Sequence, residues 1–218
     1  MSENDRQKAI GKALEILDLD PVFLDTETTG LDDHSQAVEI AVLGLDGTAL
    51  LDTLVKPTIV ISRGARQVHG IGSDELVGAP GFNQVLPELE RVLRGRVIVG
   101  YNFHYDWQIL NASAYAHGLD LDEIRPASRH CAMELYAQYW GEWDEYHGNY
   151  RWQRLTDAAR QQGVSLPEGM APHRAEADAE LTRRVLIAMA MADLPVETDE
   201  TIVVDVGKEN WNKVWDME

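Results

Sequence analysis

The segment Val22 to Gly30, VFLDTETTG, joins a short apolar run to two acidic residues and a glycine turn. Residues two apart in an extended chain project from the same face, so Asp25 and Glu27 present two carboxylates side by side. Two close like charges are costly unless a cation lies between them. The segment therefore predicts a strand that ends in a cation-binding pair, although this pattern is also typical of a solvated strand end in an acidic chain.

The elements around this segment predict one mixed sheet covered by helices. Apolar residues at helical spacing predict a leading helix over 5–17, and strand-like runs follow at 22–24, 37–45 and 49–55. Asp46-Gly47 between the last two runs is a strong hairpin signal. After a turn-rich stretch over 57–80, the remaining predicted elements are a helix over 82–93, a buried strand over 97–99, and helices over 105–117, 131–140, 150–162 and 173–192.

Three antiparallel strands followed by alternating helices and strands are typical of an α/β domain. We expect residues 21–194 to form this domain, with the helix in residues 1–20 as part of it. Residues 195–218 are expected to be an acidic appendage that contains one strand-like run, at 201–206.

The composition indicates a globular protein and, taken alone, argues against nucleic acid as a partner. The chain has 19 Lys and Arg against 37 Asp and Glu, and its net charge of -18 repels phosphate at long range. A single cysteine and no secretory apolar region at the start predict a cytoplasmic protein, and no apolar run predicts a membrane span. Carboxylates that hold divalent cations would reverse the charge argument locally.

Two further polar motifs lie where predicted helices begin. Asp106 follows the buried strand over 97–99, at the kind of junction where open sheets place ligands, although a lone aspartate there is often a helix cap. His173 and Asp178 open the last predicted helix, and each alone is typical of a solvated helix start. No single motif decides the function.

Together and in order, D-x-E-T-T-G, N-x-x-x-D and H-x-x-x-x-D resemble the motifs of the DEDDh, DnaQ-like 3′-to-5′ exonuclease family. Proofreading subunits of bacterial replicative polymerases are of this kind. The resemblance runs from about Val22 to Ala190 and includes the V-H-G-I segment at 68–71. It implies a ribonuclease H-like α/β fold, with a five-stranded mixed sheet flanked by helices.

The resemblance also implies a site for two Mg²⁺ or Mn²⁺ ions. Asp25 would bridge both ions, Glu27 and Asp178 would bind the ion on the nucleophile side, and Asp106 would bind on the other side. His173 would be the general base that accepts a proton from the attacking water. The chemistry agrees, because hard cations prefer oxygen ligands and two close cations assist an in-line displacement at phosphorus. An imidazole suits proton abstraction near pH 8.

A second set of residues is implied to contact the substrate: Thr28, Thr29, Leu31, His69, Asn102 and Tyr105. Thr28, Thr29 and Leu31 resemble the loop that meets the terminal nucleotide. The chain departs from the usual H-N-x-x-F-D pattern, since Tyr101 replaces the histidine and Tyr105 the phenylalanine. Tyr105 can still stack or pack, and Tyr101 puts only a local hydrogen bond in doubt.

The aromatic segment 136–152 contains seven of the 16 aromatic residues. These side chains could stack on single-stranded bases, pack onto the domain, or form a homodimer contact. Several arginines could border the site or pair with surface acids: Arg63, Arg66, Arg151, Arg154 and Arg174.

The expected partners are DNA or RNA 3′ ends, with single-stranded DNA favoured, and a polymerase or another replication or repair protein. Two alternatives to the exonuclease stay open on the same fold. One is a non-catalytic nucleic-acid or protein binding module, and the other is a ribonuclease H-like endonuclease.

Overall fold

A central strand, β1, organises a five-stranded mixed sheet of order β3-β2-β1-β4-β5. β1 pairs antiparallel with β2 and parallel with β4. The computed structural model describes residues 3–192. Its elements are α1 (Glu3–Asp18), β1 (Val22–Thr28), β2 (Ala37–Leu43), β3 (Ala49–Leu54), α2 (Arg63–His69), α3 (Phe82–Leu93), β4 (Val97–Gly100), α4 (Phe103–Tyr115), β5 (Ser128–Cys131), α5 (Ala132–Trp140), β6 (Trp143–Asp144), β7 (Asn149–Tyr150), α6 (Leu155–Gln162) and α7 (Ala175–Ala190).

Side chains along β1 point alternately to the two faces of the sheet, and each face is covered by its own layer of the core. Phe23 belongs to a buried cluster formed with α1, α5, α6 and α7 on one face of the sheet. Val22 and Leu24 belong to a second cluster formed with α3 and α4 on the other face. Because successive strand residues point to opposite faces, Asp25 and Glu27 lie on the α7 side, whereas Thr26 and Thr28 lie on the α4 side.

The buried side chain of Arg183 ties α7 to the β2–β3 hairpin. Arg183 donates from Nε and Nη2 to the Glu180 carboxylate at 2.7 and 2.8 Å, and from Nη1 to the Leu45 carbonyl oxygen at 2.9 Å. Both side chains are buried. This anchor lies one to two turns after Asp178 and therefore fixes the body of α7 against the sheet.

The expected five-stranded mixed sheet, with three antiparallel strands and then parallel strands, is confirmed. β1 extends to Thr28, so Asp25 and Glu27 lie on the strand itself. The predicted helix over 150–162 is wrong at its start. Tyr150 pairs with Trp143 across a small hairpin that turns at Gly148, whose φ of 67° is left-handed, and α6 begins only at Leu155.

The predicted last helix is likewise too long at its start, because His173 has a φ of 60° and cannot continue a right-handed helix. The predicted acidic appendage, residues 195–218, lies outside the described residues. Over residues 3–192, no helix has the length and apolarity needed to cross a membrane.

Candidate active site

Three carboxylates meet where the end of β1 faces the first turn of α7. Asp25, Glu27 and Asp178 each place one oxygen within 4.8 Å of the other two. Asp25 and Glu27 face α7 because they share the strand face of Phe23. The structure thus brings together three of the four predicted metal ligands, and their oxygens are the donor type that Mg²⁺ and Mn²⁺ prefer.

Asp106 approaches the same strand end from α4 and stands outside the three-oxygen cluster. Thr26, on the α4 face of β1, donates from Oγ1 to Asp106 Oδ1 at 2.8 Å, and Asp106 is 4% exposed. The charge of Asp106 is nevertheless close enough to raise the pKa of Asp25. All four predicted carboxylates therefore belong to one electrostatic site.

The four carboxyl groups are held where their ionised forms are unfavourable. Burial, and then the charges of the neighbouring acids, raise the pKa of Asp25 well above its usual range. Burial, followed by the charge of Asp178, raises the pKa of Glu27 to about 8. Burial raises the pKa of Asp106 to about 7 against its hydrogen bond from Thr26, and burial also raises the pKa of Asp178.

A divalent cation fits this donor set. Desolvated carboxylates that repel one another retain protons near neutral pH, and a cation placed among them would favour their ionised forms. The residues that could hold such an ion are Asp25, Glu27 and Asp178 directly, with Asp106 next to them.

His173 lies just before α7, exposed to solvent and beside the carboxylate cluster. Its side chain and its backbone N–H both lie close enough to oppose the rise in the pKa of Asp178. The structure therefore places the predicted general base next to a predicted metal ligand.

Glu39 is a buried acid beside the site that sequence reasoning missed. It lies on β2 directly opposite Glu27 and is 4% exposed. Its carboxylate binds the guanidinium of Arg174 and accepts a hydrogen bond from the backbone N–H of Ala175 at 2.9 Å. One signal was available in the sequence, since Glu39 is the only charged residue in the seven-residue run AVEIAVL.

The loop after β1 is shaped by several residues that were predicted to contact substrate. Thr28 Oγ1 donates to the Gly30 carbonyl oxygen at 2.7 Å, and the Tyr105 hydroxyl donates to the same oxygen at 2.6 Å. Thr29 Oγ1 accepts from the backbone N–H of Gln36 at 3.0 Å. The side chain of the neighbouring Leu31 is 89% exposed.

His69 closes the other side of this loop. Its Nδ1 accepts from the backbone N–H of Ile71 at 3.0 Å, so Nε2 carries the proton and donates to the Thr28 carbonyl oxygen at 3.2 Å. Burial lowers the pKa of His69, which favours this neutral form. Asn102 is the N-cap residue of α4, with a left-handed φ of 64°.

Two of the arginines named above form ion pairs, and the aromatic segment contains both buried and exposed side chains. Arg174 binds Glu39, and Arg151 pairs with Glu142 at 2.9 Å. Tyr136 and Tyr139 of the aromatic segment are buried in the core. Four other aromatic residues of the segment are exposed: Trp140, Trp143, Tyr146 and Trp152.

Comparison with known proteins agrees with this geometry. The RNase T family model, described as exonuclease, matches residues 22–186, and the chain therefore belongs to this exonuclease family. It is a nuclease, and its resemblance to DnaQ-like exonucleases, expected from the sequence, is confirmed.

Two relatives cover most of the chain. Uncharacterized exonuclease CP81 of Escherichia phage 186 is 38% identical over 185 residues, which are 82% of this chain and 92% of that protein. DNA polymerase III subunit epsilon of Treponema pallidum (strain Nichols) is 30% identical over 169 residues, which are 76% of this chain and 74% of the relative.

Solved structures show the same ribonuclease H-like exonuclease fold. Exonuclease X in complex with 5′ overhanging duplex DNA matches with a TM-score of 0.59 at 24% identity, covering 78% of this chain and 90% of that one. S. pombe Pop2p in its Mg²⁺- and Mn²⁺-bound form matches with a TM-score of 0.59 at 13% identity, covering 88% and 90%.

Proposed function

We propose that the protein is a DEDDh-type 3′-to-5′ exonuclease that removes nucleotides from the 3′ end of single-stranded nucleic acid, with DNA favoured. The observation that carries this proposal is the meeting of Asp25, Glu27 and Asp178 within 4.8 Å, with His173 just before the helix that carries Asp178. Asp106 completes the carboxylate set through its effect on Asp25.

Asp25, Glu27, Asp106 and Asp178 would hold two Mg²⁺ or Mn²⁺ ions. When bound, these ions supply polarisation of the phosphoryl oxygen and neutralise charge on the leaving oxygen. His173 accepts the proton of the attacking water, a role for which its exposed position beside Asp178 suits it.

The loop after β1 is proposed to receive the terminal nucleotide. Hydrogen bonds that involve Thr28, Tyr105 and His69 hold the backbone of this loop. The exposed Leu31 side chain is therefore attached to a well-fixed segment of backbone. An apolar side chain that is 89% exposed beside a catalytic site provides a surface for a base or sugar. Thr29 and Asn102 complete the proposed substrate-binding set.

The relatives support a role in DNA metabolism. The Treponema relative is named as a DNA polymerase III subunit, and the structure of exonuclease X contains duplex DNA. We therefore propose a cytoplasmic enzyme that works with a polymerase or another replication or repair protein. A homodimer through the aromatic segment is a further proposal, supported by its four exposed aromatic residues.

The test is a degradation ladder with 5′-labelled DNA and RNA oligonucleotides of one sequence, with Mg²⁺, with Mn²⁺ and with EDTA. The expected result is stepwise shortening from the 3′ end, release of nucleoside 5′-monophosphates, and no cleavage in EDTA. Asp25→Asn protein, purified in parallel, controls for contaminating nuclease. Cutting of circular single strands at a comparable rate would support the endonuclease instead, and binding without cleavage would support the binding module.

A further inference from the structure

The start of α7 is held by a residue from another element. Arg174 Nε lies 3.0 Å from both carboxylate oxygens of Glu39, and Arg174 Nη2 also donates to Oε1. The backbone N–H of Ala175, the first residue of α7, donates to Oε2 at 2.9 Å. Glu39 therefore binds the side chain of one residue and the main chain of the next.

The chain needs such a support at this point. His173 has a left-handed φ of 60°, Arg174 is extended with φ of -130° and ψ of 138°, and Ala175 begins the helix. The N-cap residue Arg174 makes no side-chain cap to the helix. A non-glycine residue in the left-handed region is unfavourable by about 1–2 kcal/mol, and it persists only where its surroundings hold it.

The support acts on His173 more than on Asp178. Asp178 is inside α7, where its backbone N–H donates to the Arg174 carbonyl oxygen at 3.0 Å. The body of the helix is fixed separately by Arg183, which donates to the Leu45 carbonyl oxygen. His173 precedes the helix, so its direction depends on the conformation of residues 173–175.

We propose that Glu39 and Arg174 form a positioning clamp that orients His173 toward the carboxylate cluster. This inference rests on the proposed exonuclease function and adds two positioning residues to it. Glu39 lies directly across the sheet from Glu27 in the β1–β2 register, so one rigid pair of strands carries both the clamp and the metal ligands. The clamp thereby ties the base to the strand that holds the metal site.

The ionic form of the clamp fits this role. Glu39 is buried, whereas the Arg174 side chain is 40% exposed, so the loss of hydration offsets part of the attraction and the pair is weak evidence for stability. A two-pronged guanidinium–carboxylate pair does fix direction, since its hydrogen bonds are satisfied in one planar arrangement. The same pairing occupies Arg174, which otherwise would be a candidate for binding substrate phosphate.

The experiment is a double-mutant cycle between Glu39→Gln and His173→Ala, measured as kcat and KM on a 3′-end substrate with Mn²⁺. Glu39→Gln alone should lower kcat about 10- to 100-fold, with KM and Mn²⁺ affinity changed less than threefold. In the His173→Ala background, where the base is already missing, it should lower the rate by less than twofold. Glu176→Gln, at a nearby acid on the first turn of α7, is the matched control and should stay within twofold of wild type.

Equal losses from Glu39→Gln in both backgrounds would mean a merely structural role and would overturn the clamp. Arg174→Lys repeats the cycle if Glu39→Gln fails to fold, as judged by circular dichroism, because it keeps the charge but loses the two-pronged geometry. A rise in KM for Arg174→Lys in both backgrounds would assign Arg174 to phosphate binding and would also overturn the clamp. An inactive wild-type protein would refute the proposed function itself, which separates the two failures.

Discussion

Glu27 provides a test of the carboxylate cluster that does not depend on catalysis. Its pKa lies at about 8 in the folded protein, whereas an ordinary glutamate titrates at 4.5. The folded state therefore binds this proton more tightly than the unfolded state does. The stability contributed by the protonated form is complete below pH 4.5 and is lost as the pH rises through 8.

The size of this effect follows from the difference between the two pKa values. Each pH unit in that interval is worth about 1.4 kcal/mol, so the full difference of about 3.5 units amounts to ~5 kcal/mol at most. Between pH 6 and pH 8 the loss should be about 2–3 kcal/mol. For a chain of 218 residues this corresponds to a fall in Tm of roughly 5–10 °C.

The assay is thermal unfolding in EDTA at pH 6 and pH 8, for wild type and for Glu27→Gln, which resembles the protonated glutamate and does not titrate. The variant should be more stable than wild type, and its advantage should grow by about 2–3 kcal/mol between the two pH values. Asp122→Asn, at an exposed acid before β5, is the matched control and should follow wild type. An advantage that is equal at both pH values, or that shrinks at pH 8, would refute the reasoning.

Four other changes test the site and its surroundings. Asp25→Asn should lower the exonuclease rate to less than a tenth, a loss of more than about 1.4 kcal/mol in the transition state, without lowering metal-free Tm. Tyr105→Phe removes one hydrogen bond to the loop after β1, so KM should rise several-fold while stability falls by about 0.5–1.5 kcal/mol in denaturant titrations. Trp143→Ala should raise KM for long single strands but not for a dinucleotide if the ring stacks on bases, whereas a dimer contact would appear as a changed mass in light scattering. Arg63→Ala and Arg66→Ala, on the helix that carries His69, should each reduce the slope of log KM against log salt by about 0.7 if they bind phosphate of a single strand.

The elements that sequence reasoning found are those with a strong local pattern. β1, β2 and β3 combine apolar runs with a hairpin turn at Asp46-Gly47, and the pairing register confirms them. The resemblance carried by the acidic motifs implied which strand and helix ends would meet. Since alternate strand residues share a face, the meeting of Asp25 and Glu27 followed from their spacing alone.

The elements that it missed have little apolar pattern of their own. β5, with the polar sequence SRHC, is a strand because it pairs with β4 residue by residue. α2 has little apolar periodicity. It is held at its start by the backbone N–H of Ala65, which donates to Ser62 Oγ, and at its end by the buried side chain of His69. Glu39 could be placed on a strand, but its partner Arg174 is 135 residues later and no local pattern connects them.

The acidity of the chain and its nuclease chemistry are compatible for a physical reason. The cluster of Asp25, Glu27 and Asp178, with Asp106 beside it, forms part of the formal net charge of -18, yet it is the group of charges that divalent cations would reverse in sign at the site. Long-range repulsion lowers the rate of encounter with nucleic acid, and it acts on the whole strand. An enzyme that acts at a chain end needs few phosphate contacts, so local attraction at the carboxylate cluster would outweigh this repulsion once the cluster holds divalent cations. The same charge that argues against a general nucleic-acid binding protein is therefore consistent with one that engages only the terminus.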